Sequence, residues 1–585
     1  MSASLLSISR PPERKTPLDL VHSDLSCRNL SWRERVALGA LCLCTLVLLI
    51  TLQYGRVFTG DEIGTLHYLK ENPSFILTHF TTHLSMNYFI LVEKGVAWLC
   101  GAADWRLTLL PMAAVVAIIP LTASLALKFT GSTRTALIAA SLAAFNPYLV
   151  SWGAAIRAYS LLAAFSLLAI NEFFHWSRWP GWWSGVRCAA AVLFLLLAHL
   201  NGIYIVAFLV LLLIVQSLSG IRRFLWESRT LWIPLAGAAV VVGVAYWRLL
   251  PEIAQNTRSW AFDTPPTSMG YLPPVFITYM GMGYAVWLCV PLLLAGCWSA
   301  AREKRALLLL CGAIVLGPIL MSLQGVSVDS GAAARYLIFS LPLLLIFMAE
   351  GIDWLARHVR IRAGTAMAAW GLTALAVVCW TPYIRAQFLA KKWWPYSRVA
   401  KFLHGQMQKN DVIVAGWSIG FTLSQFFDDS KDRIMPPDKY VSKVSTQFDA
   451  PLPGRIFYVT GPSVLYGRKV SIRRFERLEV TTYSGRTARE LLQRWREDLL
   501  LRTEARVVAQ ELLEQWREGW LRRTEGRLAP PCQNDYQLLA LLEESLPSGQ
   551  SADHWRSLAE SCSAQPLSEY VPQHELKAIR SVRFP

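Results

Sequence analysis

Charged side chains are scarce in this sequence. Only 17% of its 585 residues are Asp, Glu, Lys or Arg, while 54% are hydrophobic. A soluble chain rarely carries so much apolar sequence, and many runs approach or exceed the roughly 20 residues that cross a bilayer as a helix. A soluble globular enzyme is thereby excluded, and an α-helical multi-pass membrane protein is expected. Acid is the scarcer sign, with 40 Asp and Glu against 57 Lys and Arg and a formal net charge of +17. That excess does not point to nucleic acid, because the basic residues cluster in short loops between apolar runs, as cytoplasmic loops do. Cysteine offers no obvious chemistry either. There is no Cys-x-x-Cys pair, and Cys42, Cys44, Cys188, Cys289, Cys297, Cys311 and Cys379 lie within or beside apolar runs, where a thiol behaves as a small apolar group. A cleavable leader is also missing from the expected pattern. About 35 polar residues precede the first apolar run and no small-residue cleavage site follows it, so Val36–Gln53 reads as a retained signal anchor.

Eleven runs have the length and apolarity expected of membrane helices: roughly 36–53, 107–128, 135–151, 158–174, 188–200, 202–218, 231–249, 275–299, 306–323, 335–354 and 364–382. Lys and Arg set their orientation. The N-terminal segment, Lys128 with Arg134, Arg178 with Arg187, Arg222 with Arg223 and Arg229, Arg302 with Lys304 and Arg305, and Arg357 with Arg360 and Arg362 alternate as cytoplasmic loops. The other loops are poorer in base for their length and belong to the outer face. An odd number of spans sends the C-terminal region there as well.

The organisation expected is a cytoplasmic segment 1–35, a membrane domain 36–384, a small extracytoplasmic α/β domain 385–470 and a helical extension 471–585. The first outer loop, 54–106, is too long for a plain connector. Its amphipathic stretches, Asp61–Lys70 and Asn87–Cys100, are expected to lie at the interface as helices. DVIVAGW (Asp411–Trp417) and RIFYVTG (Arg455–Gly461) read as strands ending near glycine, with a helix between them in GFTLSQFF. Farther on, ELLQRWREDLLLRTE recurs as ELLEQWREGWLRRTE at an offset of 21 residues. That offset is three heptads, so both copies share one face of a long amphipathic helix. Cys532 and Cys562 fall in the same outer tail and are a candidate disulfide if the compartment is oxidising.

Asp61 and Glu62 open the stretch FTGDEIGTLHYL just beyond the first span. One reading is local: acids favour the first turn of a helix. A second is chemical, because the outer loops also hold His67, His79, His83, Asn87, Glu93 and Lys94. Arg157 opens the fourth span in IRAYSLL, Arg335 opens the tenth in AAARYLIF, and Arg258 lies in the long outer loop NTRSWAFDTPP. Each arginine could snorkel to headgroups; together on one face they suit a phosphate, to which a guanidinium donates two bonds.

The order of these features resembles a known family. An acidic pair after the first span is followed by histidines in a long outer loop. Then come GAADWRLTLLP, NPYLVSWGAAIRAYSLLAAFSLLA, RYLIFSLPLLLIF and WWPYSRVAKFLHGQM. Together they are similar to the GT-C integral-membrane glycosyltransferases, in the branch of protein O-mannosyltransferases and lipid A aminoarabinose transferases. The resemblance covers about residues 30–400. It implies a polyprenyl-phosphate sugar donor, transfer on the outer face, and Asp61 as the matching acid with Glu62 beside it. Arg157 and Arg335, then Lys94 and Arg258, are the candidates for the donor phosphate. His67, His79, His83, Asn87, Tyr159 and Tyr336 are candidates for the acceptor and the loop around it. The chain departs from the family in THFTTHLSMNYF, where relatives carry a His-Pro-Pro-like run.

Some relatives bind a divalent metal near the donor phosphate. Glu62, His79 and His83, with His67, could ligate zinc or manganese, but no ligand spacing is diagnostic and no cofactor is required. The expected partners are the lipid-linked donor, membrane lipid and an extracytoplasmic acceptor (lipid, glycan or protein). The expected location is a bacterial inner membrane, with the site and C-terminal region facing the periplasm. The rival reading is a transporter or flippase of an anionic lipid-linked substrate. Few charges in mid-span and no inverted repeat speak against it.

Overall fold

The computed structural model describes residues 21, 29–54, 56, 58, 61–78, 86–101, 106–217, 228–249, 271–281, 284–323, 330–358, 364–390, 394–408, 411–415, 419–420, 423, 427, 434–435, 455–460, 471–475 and 478–483. The 21-residue duplication, Cys532, Cys562, Arg258, His79 and His83 lie outside the described residues. The chain forms two units, Met1–Lys392 and Trp393–Pro585.

The first unit is helical. Its helices are α1 (Trp32–Gln53), α2 (Asp61–Lys70), α3 (Pro73–Thr78), α4 (Asn87–Cys100), α5 (Leu109–Thr130), α6 (Thr133–Phe145), α7 (Pro147–Gly153), α8 (Tyr159–Arg178) and α9 (Trp182–Ala198). They continue with α10 (Ile203–Ser217), α11 (Arg229–Tyr246), α12 (Leu272–Met280), α13 (Tyr284–Arg302), α14 (Leu308–Leu323), α15 (Ser330–Tyr336), α16 (Ser340–His358) and α17 (Thr365–Ala390). Among the described residues five helices are long and apolar enough to cross a membrane, or six if the bent pair α6–α7 is one span. This is a multi-pass integral membrane protein. The expected count of eleven is not reached. Trp182–Ala198, Leu200–Val215 and Leu308–Ser322 are apolar but shorter, while α8 and α16 end in charged residues and are mostly buried in the bundle.

Two expected spans are broken. The run 135–151 bends by 56° between Phe145 and Pro147. Pro147 has no amide hydrogen, and the Asn146 side chain takes over the cap by accepting from the Tyr148 and Leu149 amides at 3.0 and 3.1 Å. The run 275–299 divides into α12 and α13 at Gly281, whose φ of 93° lies in the left-handed region that glycine tolerates. The two breaks meet. Asn146 donates to the Tyr279 carbonyl at 3.0 Å, and Trp380 Nε1 donates to the Met280 carbonyl at 2.8 Å. The backbone freed by each break is thus satisfied by protein, as lipid demands. The run 335–354 is also corrected: α15 ends at Tyr336 and a turn precedes α16.

The loops grouped together by their positive charge come together in space. Arg134 pairs with Asp353, Arg357 pairs with Glu303 and Glu350 at 3.0 Å each, and Lys304 donates to the Thr130 carbonyl at 2.8 Å. Exposed aromatic side chains mark helix ends: Trp32 and Tyr54 on α1, Trp98 on α4, Trp182 and Trp183 on α9, and Trp247 after α11. Interfacial anchors have this placement. α2 and α4 occupy the stretches expected to be interfacial. α4 exposes Val92, Trp98 and Leu99 and buries Asn87, Phe89, Ile90 and Glu93.

The second unit contains α18 (Trp394–Gln406) and strands β1 (Val412–Ala415), β2 (Ile434–Met435), β3 (Ile456–Thr460), β4 (Ser471–Phe475) and β5 (Leu478–Tyr483), in the order β2-β1-β3-β5-β4. β1 pairs in parallel with β2 and β3, while β5 is antiparallel to β3 and β4. Both strands read from sequence are therefore present. The sheet runs past residue 470, the expected boundary, because the β4–β5 hairpin extends the edge of β3. Asp411 accepts from the Gln408 and Arg455 amides at 2.7 Å each, tying the entry of β1 to that of β3.

α13 and α16 approach so closely that only glycine fits. A Cβ on Gly296 or Gly351 would lie 1.8 Å from the Phe347 or Leu292 carbonyl oxygen, whereas one on Gly39 or Gly371 would meet nothing within 4 Å. We expect Gly296→Ala and Gly351→Ala to lower the thermal midpoint in detergent by an overpacking cost of about 1–3 kcal/mol or more. Gly39→Ala and Gly371→Ala should leave it unchanged. Equal midpoints for all four would refute the close helix approach.

Candidate functional site

The polar groups of the first loop converge on the turn between α7 and α8. Gln53, at the end of α1, donates to the Ala154 carbonyl at 2.7 Å. Arg56 donates to the same carbonyl and forms an ion pair with Glu62 at 2.5 Å. Glu62 also accepts from the Ile156 amide at 3.1 Å. Both side chains are nearly buried, at 5% and 4% exposure. A buried carboxylate needs this kind of paired and hydrogen-bonded setting.

One turn along α2, Thr65 receives a hydrogen bond from Arg157 Nη1 at 3.4 Å. Arg157 is 1% exposed, unlike an arginine that snorkels into water. Residues 61 and 65 lie four apart and so share one face of α2. Position 61 is therefore on the helix face that meets Arg157. Asp61 and His67 are described here by backbone position: Asp61 begins α2, and His67 lies in its second half.

Beyond Arg157 the site is aromatic. Tyr159 begins α8, and its ring centre lies 4.7 Å from that of Trp152, 5.4 Å from His199 and 6.3 Å from Tyr336. The His199 and Tyr336 centres are 6.1 Å apart. Arg335 is near enough to Tyr148 for their charges to interact, and Tyr148 packs on Trp152 at 6.0 Å. His199 is fully buried at the end of α9.

The structure thus brings Glu62, Arg157, Tyr159, Tyr336 and Arg335 to one end of the bundle. Lys94 and Asn87 serve the rest of the loop. Lys94 donates to the Leu69 and Glu71 carbonyls at 2.7 and 2.8 Å, where a cation suits the C-terminal end of α2. That is the end of α2 away from Asp61. Asn87 donates to the Ile76 carbonyl at 2.6 Å and fastens α4 to α3. Among the described residues no group of three His, Cys, Asp or Glu could hold a metal ion, and Glu62 is engaged by Arg56 and the Ile156 amide. Sequence reading missed Arg56, Thr65, Trp152 and His199 as site residues. Arg56 was visible as the one base between the first span and the acidic pair. His199 was visible as a histidine at the junction of two apolar runs.

No known family profile matches this chain, and no curated protein does. Two solved structures similar to it are ArnT from Cupriavidus metallidurans in the apo state and the same protein bound to undecaprenyl phosphate. Each has 14% identity and a TM-score of 0.47 and covers 76% of this chain; the shares of their own chains are 98% and 97%. ArnT is a lipid A aminoarabinose transferase of the GT-C type, the branch that the motifs resemble. At that TM-score and identity the likeness decides nothing about activity, which is read below from this chain's own side chains.

Two measurements check the geometry. Arg56→Ala leaves Glu62 buried without its cation and should cost about 3–5 kcal/mol. Arg56→Ala combined with Glu62→Gln should recover much of that loss in thermal unfolding; a double variant no better than the single one removes the pairing. Glu93 is fully buried on α4, and neither of its oxygens has a hydrogen-bond partner among the described residues. Burial pushes its pKa up from 4.5 to about 8. The unfolded chain therefore loses this proton first, and the stability present below pH 4.5 is lost as the pH rises to about 8. Glu93→Gln should flatten that decline and raise the midpoint at alkaline pH; a wild-type slope in the variant would exclude Glu93 as its source.

Proposed function

We propose that this protein transfers a sugar from a polyprenyl-phosphate carrier to an acceptor outside the cytoplasm, with inversion at the anomeric carbon. The observation that carries the reading is the buried Arg157 bonded to Thr65, one turn after Asp61 on the same face of α2. A position for an acid and a fixed cation thereby meet at one end of the membrane bundle. The resemblance of the motifs to GT-C glycosyltransferases supplies the reaction class.

Asp61 takes the proton of the acceptor hydroxyl as its oxygen attacks the anomeric carbon. The bond from that carbon to the phosphate oxygen breaks, and polyprenyl phosphate leaves with the bonding pair. Arg157 and Arg335 neutralise the charge that develops on the leaving phosphate. Glu62 positions the start of α2 through Arg56 and the Ile156 amide. A lipid tail would lie between the apolar helices, which accounts for a site at their ends. We assign the protein to a bacterial inner membrane with this end facing the periplasm, following the loop charges.

The transporter reading is favoured by one observation, the two broken helices. At those breaks, however, the Tyr279 and Met280 carbonyls are taken by Asn146 and Trp380. Transport sites use such freed carbonyls for ions.

Asp61→Asn should lower sugar transfer by about 10²–10⁴-fold while the protein still reaches the membrane. The measurement is mass spectrometry of envelope glycolipids, glycans and glycoproteins from cells with wild type, variant or no protein. A product made equally by the variant removes Asp61 as base. Movement of an intact lipid-linked sugar between leaflets of proteoliposomes, without cleavage, would replace transfer by transport.

A further inference from the structure

The turn from α8 to α9 carries positive charge that the protein leaves unneutralised. It lies at the end of α8 remote from Arg157. α8 has 20 residues, so at 1.5 Å per residue its ends are about 30 Å apart, the thickness of a bilayer core. Residues 159–198 hold one acid, Glu172, against Arg178, Arg187 and His175. In other basic loops the arginines are engaged within the protein, Arg134 with Asp353 and Arg357 with Glu303 and Glu350. Arg178 is exposed, and its side chain has no ion pair or hydrogen bond among the described residues. Arg187 reaches Glu172 through Nε alone, at 3.1 Å, and stays 54% exposed. Its two terminal nitrogens have no partner among the described residues. Lys128, Arg187 and Glu172 all lie near enough to His175 for their charges to act on it. The corner therefore gathers two cations around one acid, and Arg178 adds a third.

The same turn is rigidly built. Trp176 Nε1 donates to Thr230 at 3.1 Å and ties the end of α8 to the start of α11. Ser184 accepts from the Gly181 amide at 3.1 Å and donates to the Trp179 carbonyl at 2.8 Å. A Cβ on Gly185 would lie 1.7 Å from the Thr230 carbonyl oxygen, so α9 and α11 touch there through backbone. On this fixed turn the Trp179, Trp182 and Trp183 rings stand at 58%, 50% and 77% exposure.

We propose that the α8–α9 turn binds the headgroup of an anionic phospholipid, with Arg178 and Arg187 holding its phosphate and the Trp179, Trp182 and Trp183 rings lying beside its glycerol and upper acyl chains. A guanidinium donates two bonds to a phosphate, and Arg187 keeps both terminal nitrogens for that purpose while Nε stays with Glu172. Indole rings favour the headgroup level of a bilayer, and basic corners between membrane helices suit acidic headgroups. A lipid covers the rings and the charge together, whereas a free anion would leave three indoles in water. The turn is already fixed by Ser184, Trp176 and Gly185, so little order is lost on binding. The site is on the opposite leaflet from the candidate transfer site and does not depend on the sugar-transfer reading.

The test titrates the full-length protein in detergent with phosphatidylglycerol, using phosphatidylcholine as the zwitterionic control, and counts bound lipid by native mass spectrometry. Wild type should bind phosphatidylglycerol more tightly than phosphatidylcholine. Arg178→Gln and Arg187→Gln should each weaken phosphatidylglycerol about fivefold, and together about thirtyfold, with phosphatidylcholine unchanged. Arg33→Gln removes an exposed arginine at the start of α1 and should change neither lipid. If wild type does not distinguish the two lipids, or the double variant distinguishes them as well as wild type does, the inference is wrong. A loss in Arg33→Gln equal to that in the double variant would show diffuse charge instead of a site, and also overturns it. So does displacement of phosphatidylglycerol by soluble glycerol 3-phosphate at equal concentration, which would place a free anion at the corner. The same spectra report oligomeric state. Separation of a wild-type dimer by the double variant, with its lipid count unchanged, would make the turn a contact between copies and overturn the lipid assignment.

Discussion

The buried pair of Arg56 and Glu62 is the contact on which the rest of the site depends. A carboxylate in a nearly water-free setting is tolerable only with a cation and hydrogen bonds around it. Here those partners come from two directions. Arg56 belongs to the segment leaving α1, and the Ile156 amide belongs to the turn between α7 and α8. Satisfying Glu62 therefore pulls the first turn of α2 onto that turn. The meeting of Thr65 with the Arg157 guanidinium follows from it.

The second constraint comes from the solvent. Lipid cannot hydrogen-bond to backbone, so every interruption of a helix must be repaired by protein. Asn146, Tyr279, Met280 and Trp380 form one such repair, in which two broken helices satisfy each other. Tight packing of α13 against α16 through Gly296 and Gly351 is the other half of the scaffold. Together they leave the polar chemistry concentrated at the helix ends. The basic loops gather at one end and the Glu62–Arg157 cluster at the other.

Much of this was legible in the chain. Apolar run length marked the longer helices of the first unit, and β-rich stretches before glycine marked β1 and β3. The alternation of loop charge put the acidic pair and Arg157 on one face, and the resemblance of the motifs added Tyr159 and Tyr336 as candidates. The breaks at Asn146 and Gly281 were harder to see, because composition does not distinguish one long apolar helix from two short ones. Pro147 and Gly281 were the only marks. The β4–β5 hairpin escaped notice because SIRRF and LEVTTY are polar and lack the apolar run that marked β1 and β3.

By itself the sequence determined the class of molecule, the solvent it lives in and the positions of its helices, because those follow from hydrophobicity summed over about 20 neighbours. Only the tertiary structure decided which polar groups meet. Glu62 and Ile156 are separated by 94 positions, and Thr65 and Arg157 by 92. No local pattern links residues so far apart. Arg56 and His199 have ordinary sequence surroundings, and they become part of the site because helix packing buries them beside one carboxylate and one guanidinium.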